Sequence, residues 1–239
     1  MAKRRFDGIL IDFYGTVCAG DREAVEDVCR RIVGECRLSV SPQELAVSWG
    51  ERFFGVLEQS NGESFRTLYE CVLRSLEATL ERLNVADDPQ PYLAQLEEYW
   101  LDPPIHLDAL DFLRQVELPV CCVSNADTAP LTAAIREHGL RFDAVVTSED
   151  ARSYKPDPAI FRCGLEMLGV SADRAVHIGD SLHADVWGAS KLGIATVWVC
   201  RENRIHDIGT ASPGLTVAGL AGLSDILQNG HGGPQPGFP

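Results

Sequence analysis

The chain has 239 residues, of which 45% are hydrophobic and 23% charged, as is ordinary for a globular protein with a buried core. Its formal net charge of -14 opposes nonspecific binding to nucleic acid or to an anionic membrane, so neither is expected as a partner. No apolar run approaches the roughly 20 residues that span a bilayer. The eight cysteines form no Cys-x-x-Cys pair, which predicts reduced thiols in a cytoplasmic protein and argues against a zinc site.

The N-terminal part of the chain begins with a strand pattern and continues with helices. A short apolar run ends at Asp12, so residues 6–17 are predicted to form a buried strand and a turn. Apolar residues at helical spacing then continue from about residue 20 to 101, with a helix start predicted at Ser41-Pro42. Pro103-Pro104 ends this helical stretch.

The pattern changes to alternating helices and strands after the two prolines. Helices are predicted at 107–116, 128–138, 157–168 and 182–191, and strands are predicted to end near residues 124, 147 and 179, with another strand at 195–199. Such alternation is typical of a parallel sheet with helices on both faces.

The simplest organisation is an α/β core with an insertion after its first strand. The core, residues 1–18 and 103–227, is predicted to be a Rossmann-like, doubly wound parallel sheet. Residues 19–102 are predicted to form an inserted all-helical domain. Residues 228–239, which are rich in glycine and proline, are predicted to be a disordered tail.

Polar side chains follow four of the predicted strands at the point where each strand ends. They are Asp12, Ser124-Asn125, Thr147-Ser148-Glu149-Asp150 with Lys155 a few residues further on, and Asp180 with Asp185 following. Because ligands bind at the carboxyl ends of strands in open α/β sheets, these residues are expected to share one active site. A carboxylate there is placed to act as a nucleophile or as a metal ligand.

The order and spacing of these residues resemble the four motifs of the haloacid dehalogenase superfamily of hydrolases. The motifs read Asp12-x-x-Gly15-Thr16, Val123-Ser124-Asn125, Tyr154-Lys155-Pro156-Asp157 and Gly179-Asp180-Ser181-x-x-x-Asp185. The resemblance covers nearly the whole chain. The helical insert is similar to the mobile cap of that family, which closes over the site and selects the substrate.

The resemblance implies a role for each catalytic and substrate-binding position. Asp12 would be the nucleophile and would become a covalent ester or acyl phosphate. Lys155 would offset negative charge beside Asp12 and stabilise the transition state. Ser124, with nearby main-chain amides, would hold the oxygens of the transferred group, and Thr16 and Asn125 would join it in binding substrate.

The resemblance also implies a cofactor, Mg²⁺, since hard oxygen ligands suit that ion. Asp12, Asp180 and the main-chain carbonyl of Tyr14 would bind the ion. Asp185 would be a further carboxylate ligand or a support for the other ligands.

Tyr14 departs from the phosphatase pattern of the family. Phosphatases carry at this position a second aspartate, which acts as the catalytic acid and base, whereas 2-haloacid dehalogenases carry tyrosine. An unperturbed tyrosine has a pKa near 10 and is a poor base at neutral pH. The fourth motif, with both Asp180 and Asp185, is instead similar to that of the phosphatases. Arg52 is the nearest candidate for the cap arginine that receives the halide in dehalogenases.

Three interpretations of function therefore stay open. The preferred one is magnesium-dependent hydrolysis of a small, anionic, phosphorylated metabolite through an aspartyl phosphate. The first alternative is a 2-haloacid dehalogenase that acts through an aspartyl ester without a metal. The second alternative is a binding protein that uses the cleft under the cap without turnover.

Overall fold

A single parallel sheet forms the centre of the computed structural model, which describes residues 5–201 and 211–229. The strands are Gly8–Ile11 (β1), Val120–Ser124 (β2), Ala144–Thr147 (β3), Ala175–Gly179 (β4), Ala195–Val199 (β5) and Leu215–Val217 (β6). They lie in the order β3-β2-β1-β4-β5-β6, and every neighbouring pair is parallel. The doubly wound parallel sheet predicted from the sequence is therefore confirmed.

The three central strands are buried along their whole length. Every residue of β1, β2 and β4 is buried, which explains why these strands are mostly apolar runs without polar alternation. The chain builds the sheet outward from β1 in one direction and then, from β4, in the other. The strand order reverses between β1 and β4, and in such sheets the crevice at this point binds ligands.

The helical insert forms a cap with its own apolar core. Its helices are Asp21–Glu35 (α1), Pro42–Glu58 (α2), Leu68–Arg82 (α3) and Gln90–Leu101 (α4). Their buried apolar faces meet in one cluster around residues such as Ile32, Trp49, Leu76 and Leu93. α2 begins at the predicted Ser41-Pro42 start, where the Ser41 side chain accepts from the amide of Glu44.

The remaining helices cover the two faces and one end of the sheet. They are Leu107–Gln115 (α5), Thr128–Glu137 (α6), Ser148–Ala151 (α7), Pro158–Leu168 (α8), Gly188–Ser190 (α9) and Leu223–Asn229 (α10). A π-helical segment, Leu182–Trp187, leads into α9. No helix among the described residues has the length and apolar character needed to cross a membrane.

The two linkers between cap and core run side by side. The amide of Ala19 donates to the carbonyl oxygen of Pro104 at 2.8 Å, and the amide of His106 donates to the carbonyl oxygen of Val17 at 3.0 Å. The Tyr99 hydroxyl donates to the carbonyl oxygen of Ala19 at 3.1 Å. The cap is therefore joined to the core by a hydrogen-bonded pair of segments.

Two elements near the C-terminus differ from the sequence prediction. β6 and α10 were not predicted, because three residues of strand and seven of helix give too little periodicity to detect. The tail predicted for residues 228–239 overlaps α10, which continues to Asn229. The rest of that segment, residues 230–239, lies outside the described residues.

Candidate active site

Asp12 lies where β1 ends, at the reversal point of the sheet. Its amide donates to the carbonyl oxygen of Ile178 in the neighbouring strand β4 at 2.9 Å, which fixes the backbone before the turn. Gly15 adopts a φ of 89°, a left-handed conformation that glycine tolerates better than other residues. Asp12 is almost fully buried, with 5% of the surface of the residue exposed.

Lys155 contacts two carboxylates. Its Nζ atom donates to Asp12 Oδ1 at 2.5 Å and to Asp185 Oδ1 at 2.7 Å, and all three side chains are buried. Burial would by itself lower the pKa of Lys155, but the two negative charges outweigh it and raise that pKa. Lys155 therefore stays charged beside the predicted nucleophile.

Three groups of the protein contact the Asp185 carboxylate. Besides Lys155, the Ser181 amide donates to Asp185 Oδ2 at 3.0 Å, and His177 Nε2 lies 2.8 Å from Asp185 Oδ1. Burial disfavours the ionised carboxylate, but Lys155 and His177 hold the pKa of Asp185 well below its ordinary value. Asp185 thus stays ionised, with protein partners at both of its carboxylate oxygens.

Gly179 leaves the space that the Asp185 carboxyl group occupies. A Cβ atom built on Gly179 would lie 2.2 Å from Asp185 Cγ and 2.4 Å from its Oδ2. A side chain larger than hydrogen at residue 179 is therefore incompatible with this position of Asp185.

Asp180 lies beside Asp12 and Asp185 across the reversal point. Thr16 Oγ1 donates to Asp180 Oδ1 at 3.2 Å, and Trp198 Nε1 donates to the Asp180 carbonyl oxygen at 2.9 Å. One oxygen from each of the three aspartates lies within 4.8 Å of the others, and all three are buried. Three carboxylates at this spacing form a donor set that suits a hard divalent cation such as Mg²⁺.

Burial is the main reason that the pKa of the predicted nucleophile, Asp12, is raised. Burial raises the pKa of Asp12, and Lys155 offsets this effect only in part, because Asp185 adds a second negative charge nearby. An additional positive charge at the cluster would favour the ionised, nucleophilic form of Asp12.

The second motif supports the site in two ways. Ser124 is buried at the end of β2, and its Oγ atom has no hydrogen-bond partner among the described residues. The Asn125 side chain instead pairs with the main chain of Lys155, accepting from its amide at 2.7 Å and donating to its carbonyl oxygen at 3.1 Å. Ser124 is free to hold a substrate oxygen, while Asn125 fixes the Lys155 backbone.

Tyr14 is turned toward the linkers. Its hydroxyl donates to the carbonyl oxygen of Trp100 at 2.8 Å, at the end of α4. Burial raises the pKa of the phenol well above its ordinary value. The Tyr14 phenol stays un-ionised, and its hydroxyl hydrogen is engaged in the bond to Trp100. It is therefore a poor acid or base for the chemistry at Asp12 at neutral pH.

Two residues outside the four motifs also bear on the site, one in the cap and one in β4. Arg52, the predicted halide-binding arginine, lies on α2 in the cap, and its buried Nε atom has no hydrogen-bond partner within the described part of the chain. His177 was not among the residues assigned to the site from the sequence, yet it contacts Asp185. The signal that could have found it is a histidine in an otherwise apolar strand, two residues before Gly179.

The family model for haloacid dehalogenase-like hydrolases matches residues 6–193. The chain belongs to this family. The chain is similar to the (S)-2-haloacid dehalogenase of Pseudomonas fluorescens, with 24% identity over 235 residues that cover 95% of this chain and 98% of that protein. The pyrimidine 5'-nucleotidase PynA of Streptococcus pneumoniae is 31% identical over 124 residues, which cover 51% of this chain and 52% of that protein.

Solved structures show the same fold. The L-2-haloacid dehalogenase from Xanthobacter autotrophicus matches with a TM-score of 0.75 at 19% identity, covering 93% of this chain and 98% of that one. The protein is thus a haloacid dehalogenase-like hydrolase that has both a dehalogenase and a nucleotidase among its relatives.

Proposed function

We propose that this hydrolase removes phosphate from a small phosphorylated metabolite in a Mg²⁺-dependent reaction. The carrying observation is the charge of the buried cluster. Asp12, Asp180 and Asp185 bring three carboxylates together, and Lys155 supplies one fixed positive charge. Buried charges are costly unless they are paired, so the surplus of negative charge favours a bound divalent cation.

The donor set indicates how the ion would be held. Asp12 and Asp180 would bind Mg²⁺, and Asp185 would stand beside it, since protein donors already contact both of its oxygens. When bound, Mg²⁺ supplies positive charge that offsets the negative charge of the phosphoryl oxygens.

The protein residues account for the covalent steps. An Asp12 carboxylate oxygen attacks phosphorus, the bond from phosphorus to the ester oxygen breaks, and an aspartyl phosphate forms. Lys155 and Ser124 stabilise the transferred oxygens. Because the Tyr14 hydroxyl donates its hydrogen bond to the Trp100 carbonyl oxygen, the leaving oxygen takes a proton from water. Water then cleaves the aspartyl phosphate and regenerates Asp12.

A second candidate is 2-haloacid dehalogenation, which the position of Tyr14 favours. Asp12 would attack the carbon that carries the halogen, the halide would leave with the bonding electrons, and water would hydrolyse the resulting ester. This reaction needs no proton on the leaving group. Dehalogenation can therefore proceed in a site where Tyr14 does not act as a general acid.

Two parallel assays separate the candidates. Phosphate release from p-nitrophenyl phosphate and small sugar phosphates is measured with Mg²⁺ and with EDTA, and halide release from 2-chloropropionate is measured with EDTA. If the proposal is correct, phosphate is released in the presence of Mg²⁺ and not in the presence of EDTA. Halide release in EDTA without phosphatase activity would establish the dehalogenase, and no turnover in either assay would contradict both. Asp12→Asn controls for contaminating enzymes, because it removes the attacking oxygen in both mechanisms.

A further inference from the structure

Asp127 contacts the cap although it belongs to the core. It lies three residues after Ser124, immediately before α6, at the position where an aspartate commonly accepts hydrogen bonds from its own helix. Its side chain makes no such bond to α6. The amide of Thr128, the first residue of α6, donates to Glu149 Oε2 at 2.7 Å, and the hydrogen-bond partners of the Asp127 carboxylate lie outside α6.

That partner is the first turn of the cap helix α3. The Leu68 amide donates to Asp127 Oδ1 at 2.6 Å, and the Tyr69 amide donates to Asp127 Oδ2 at 3.0 Å. The first amides of a helix lack partners within the helix, and the positive end of the helix dipole favours a carboxylate there. The core thus supplies both oxygens of a partly buried carboxylate to a helix of the other domain.

Tyr154 makes a second contact of this kind beside the third motif. Its ring lies in the apolar core of the cap, stacked on Phe65 with the ring centroids 5.4 Å apart, and its hydroxyl donates to the Arg66 carbonyl oxygen at 2.8 Å. Its amide donates to Asn61 Oδ1 at 2.7 Å. The next residue in the chain is Lys155.

The two contacts are connected through the active site. Asp127 follows Ser124-Asn125 and Tyr154 precedes Lys155, while the Asn125 side chain binds the Lys155 main chain at both its amide and its carbonyl oxygen. A cap segment, residues 61–69, therefore contacts one continuous unit of the core that carries two catalytic motifs.

We propose that Asp127 is a positioning residue that docks the cap onto the loops carrying Ser124 and Lys155, so that cap docking and active-site geometry change together. Asp127→Asn replaces one acceptor oxygen by an amide donor, which repels a helix amide. In the variant the cap separates from both loops, and the Tyr154 amide, far from residue 127 in sequence, loses its Asn61 partner.

Hydrogen exchange of the full chain tests this without any substrate. We expect Asp127→Asn to speed exchange at least tenfold both at residues 68–69 and at the Tyr154 amide. Glu70→Gln is the matched control, because Glu70 accepts from the Thr67 amide at the same helix end but makes that bond within the cap. It should speed exchange only in the first turn of α3. Identical, purely local changes in the two variants would overturn the proposal.

Kinetics give an independent measure once a substrate is known. If the docked state falls to about a tenth of the population, apparent affinity falls by the same factor, so KM rises about tenfold in Asp127→Asn and stays unchanged in Glu70→Gln. Should Asp127→Asn fail to fold, Tyr154→Phe removes the bond to Arg66 and keeps the ring. Faster exchange at Leu68 in that variant is expected, and unchanged exchange there would contradict the coupling.

Discussion

The hydroxyl of Tyr14, two residues after the predicted nucleophile, donates a hydrogen bond to the main-chain carbonyl oxygen of Trp100 at the end of the cap, 2.8 Å away. In the opposite direction, the Tyr99 hydroxyl donates to the carbonyl oxygen of Ala19. Two tyrosines thus join the two linkers reciprocally. Tyr14 here helps to hold the cap to the core.

Tyr14→Phe should leave turnover nearly unchanged. Phenylalanine keeps the ring and loses only the bond to Trp100, so we expect turnover within about threefold of wild type. The lost hydrogen bond should cost about 1 kcal/mol, which lowers Tm by about 2–4 °C in a chain of this size. Steady-state kinetics and thermal unfolding measure both. A loss of turnover beyond a hundredfold would show that the hydroxyl takes part in the chemistry.

Tyr14→Asp should raise phosphatase activity if the rest of the site is built for phosphoryl transfer. General acid–base catalysis contributes about 10²–10⁴-fold, and we expect at least a tenfold gain in kcat with Mg²⁺, largest for poor leaving groups. The comparison of p-nitrophenyl phosphate with an alkyl phosphate reports that dependence. A variant that gains nothing, together with halide release by the wild type in EDTA, would favour the dehalogenase mechanism.

Mg²⁺ should stabilise the wild-type fold but not the Asp180→Asn variant. An ion at 100 times its dissociation constant adds about 2.7 kcal/mol to the free energy of unfolding. In EDTA, Asp180→Asn should be at least as stable as wild type, because it removes one charge from a cluster of buried carboxylates. Asp173→Asn, at an exposed position, serves as control and should keep the Mg²⁺ effect. Thermal unfolding with and without Mg²⁺ measures the stabilisation of each protein. Equal stabilisation of all three proteins would contradict a Mg²⁺ site that includes Asp180.

The strand ends could be located from the sequence because each buried parallel strand is a short apolar run, which is a local feature. Asp12 and Asp180 directly follow such a run, Lys155 lies a few residues beyond another, and the structure brings the three together. The direction in which a side chain points is not a local feature of this kind. That Tyr14 turns to Trp100 and Asp127 to α3 depends on contacts between residues more than fifty positions apart.

The same limit applies to His177. A histidine inside an apolar strand is commonly a packing residue, and only the fold places its ring against Asp185 from the next segment. The start of the cap helix α2, in contrast, depends only on residues that are close in the sequence. The Ser41 start of α2 was predictable because its capping contacts lie within three residues of one another.

Gly179→Ala should reduce activity more than it reduces stability. The added methyl group would lie 2.2 Å from Asp185 Cγ, so the Asp185 carboxylate must shift away from Lys155. We expect at least a tenfold loss of kcat and a loss of about 1–3 kcal/mol in the free energy of unfolding. Gly34→Ala in α1, where a Cβ atom has no neighbour within 4 Å, is the control and should stabilise by about 0.5–1 kcal/mol. Full activity of Gly179→Ala would show that the position of Asp185 is unimportant.

The ion pair of Asp108 and Arg201 should make stability depend on pH in the acid range. The Arg201 guanidinium donates to both Asp108 oxygens at 3.0 Å, and the Leu220 amide donates to one of them at 2.7 Å. Burial would raise the pKa of Asp108, but these bonds outweigh it and lower that pKa.

The sign of the effect follows from that lowered pKa. The stabilisation is fully present above the pKa of about 3.9 that aspartate has in the unfolded chain, and it is lost as the pH falls through the lower pKa of the folded state. At pH 6, Asp108→Asn should be less stable than wild type by about 1.5–3 kcal/mol, the range for hydrogen bonds to charged groups. Urea unfolding from pH 6 down to pH 3 should show this difference shrinking. A difference that stays constant over this range would show that the pair contributes nothing through its charge.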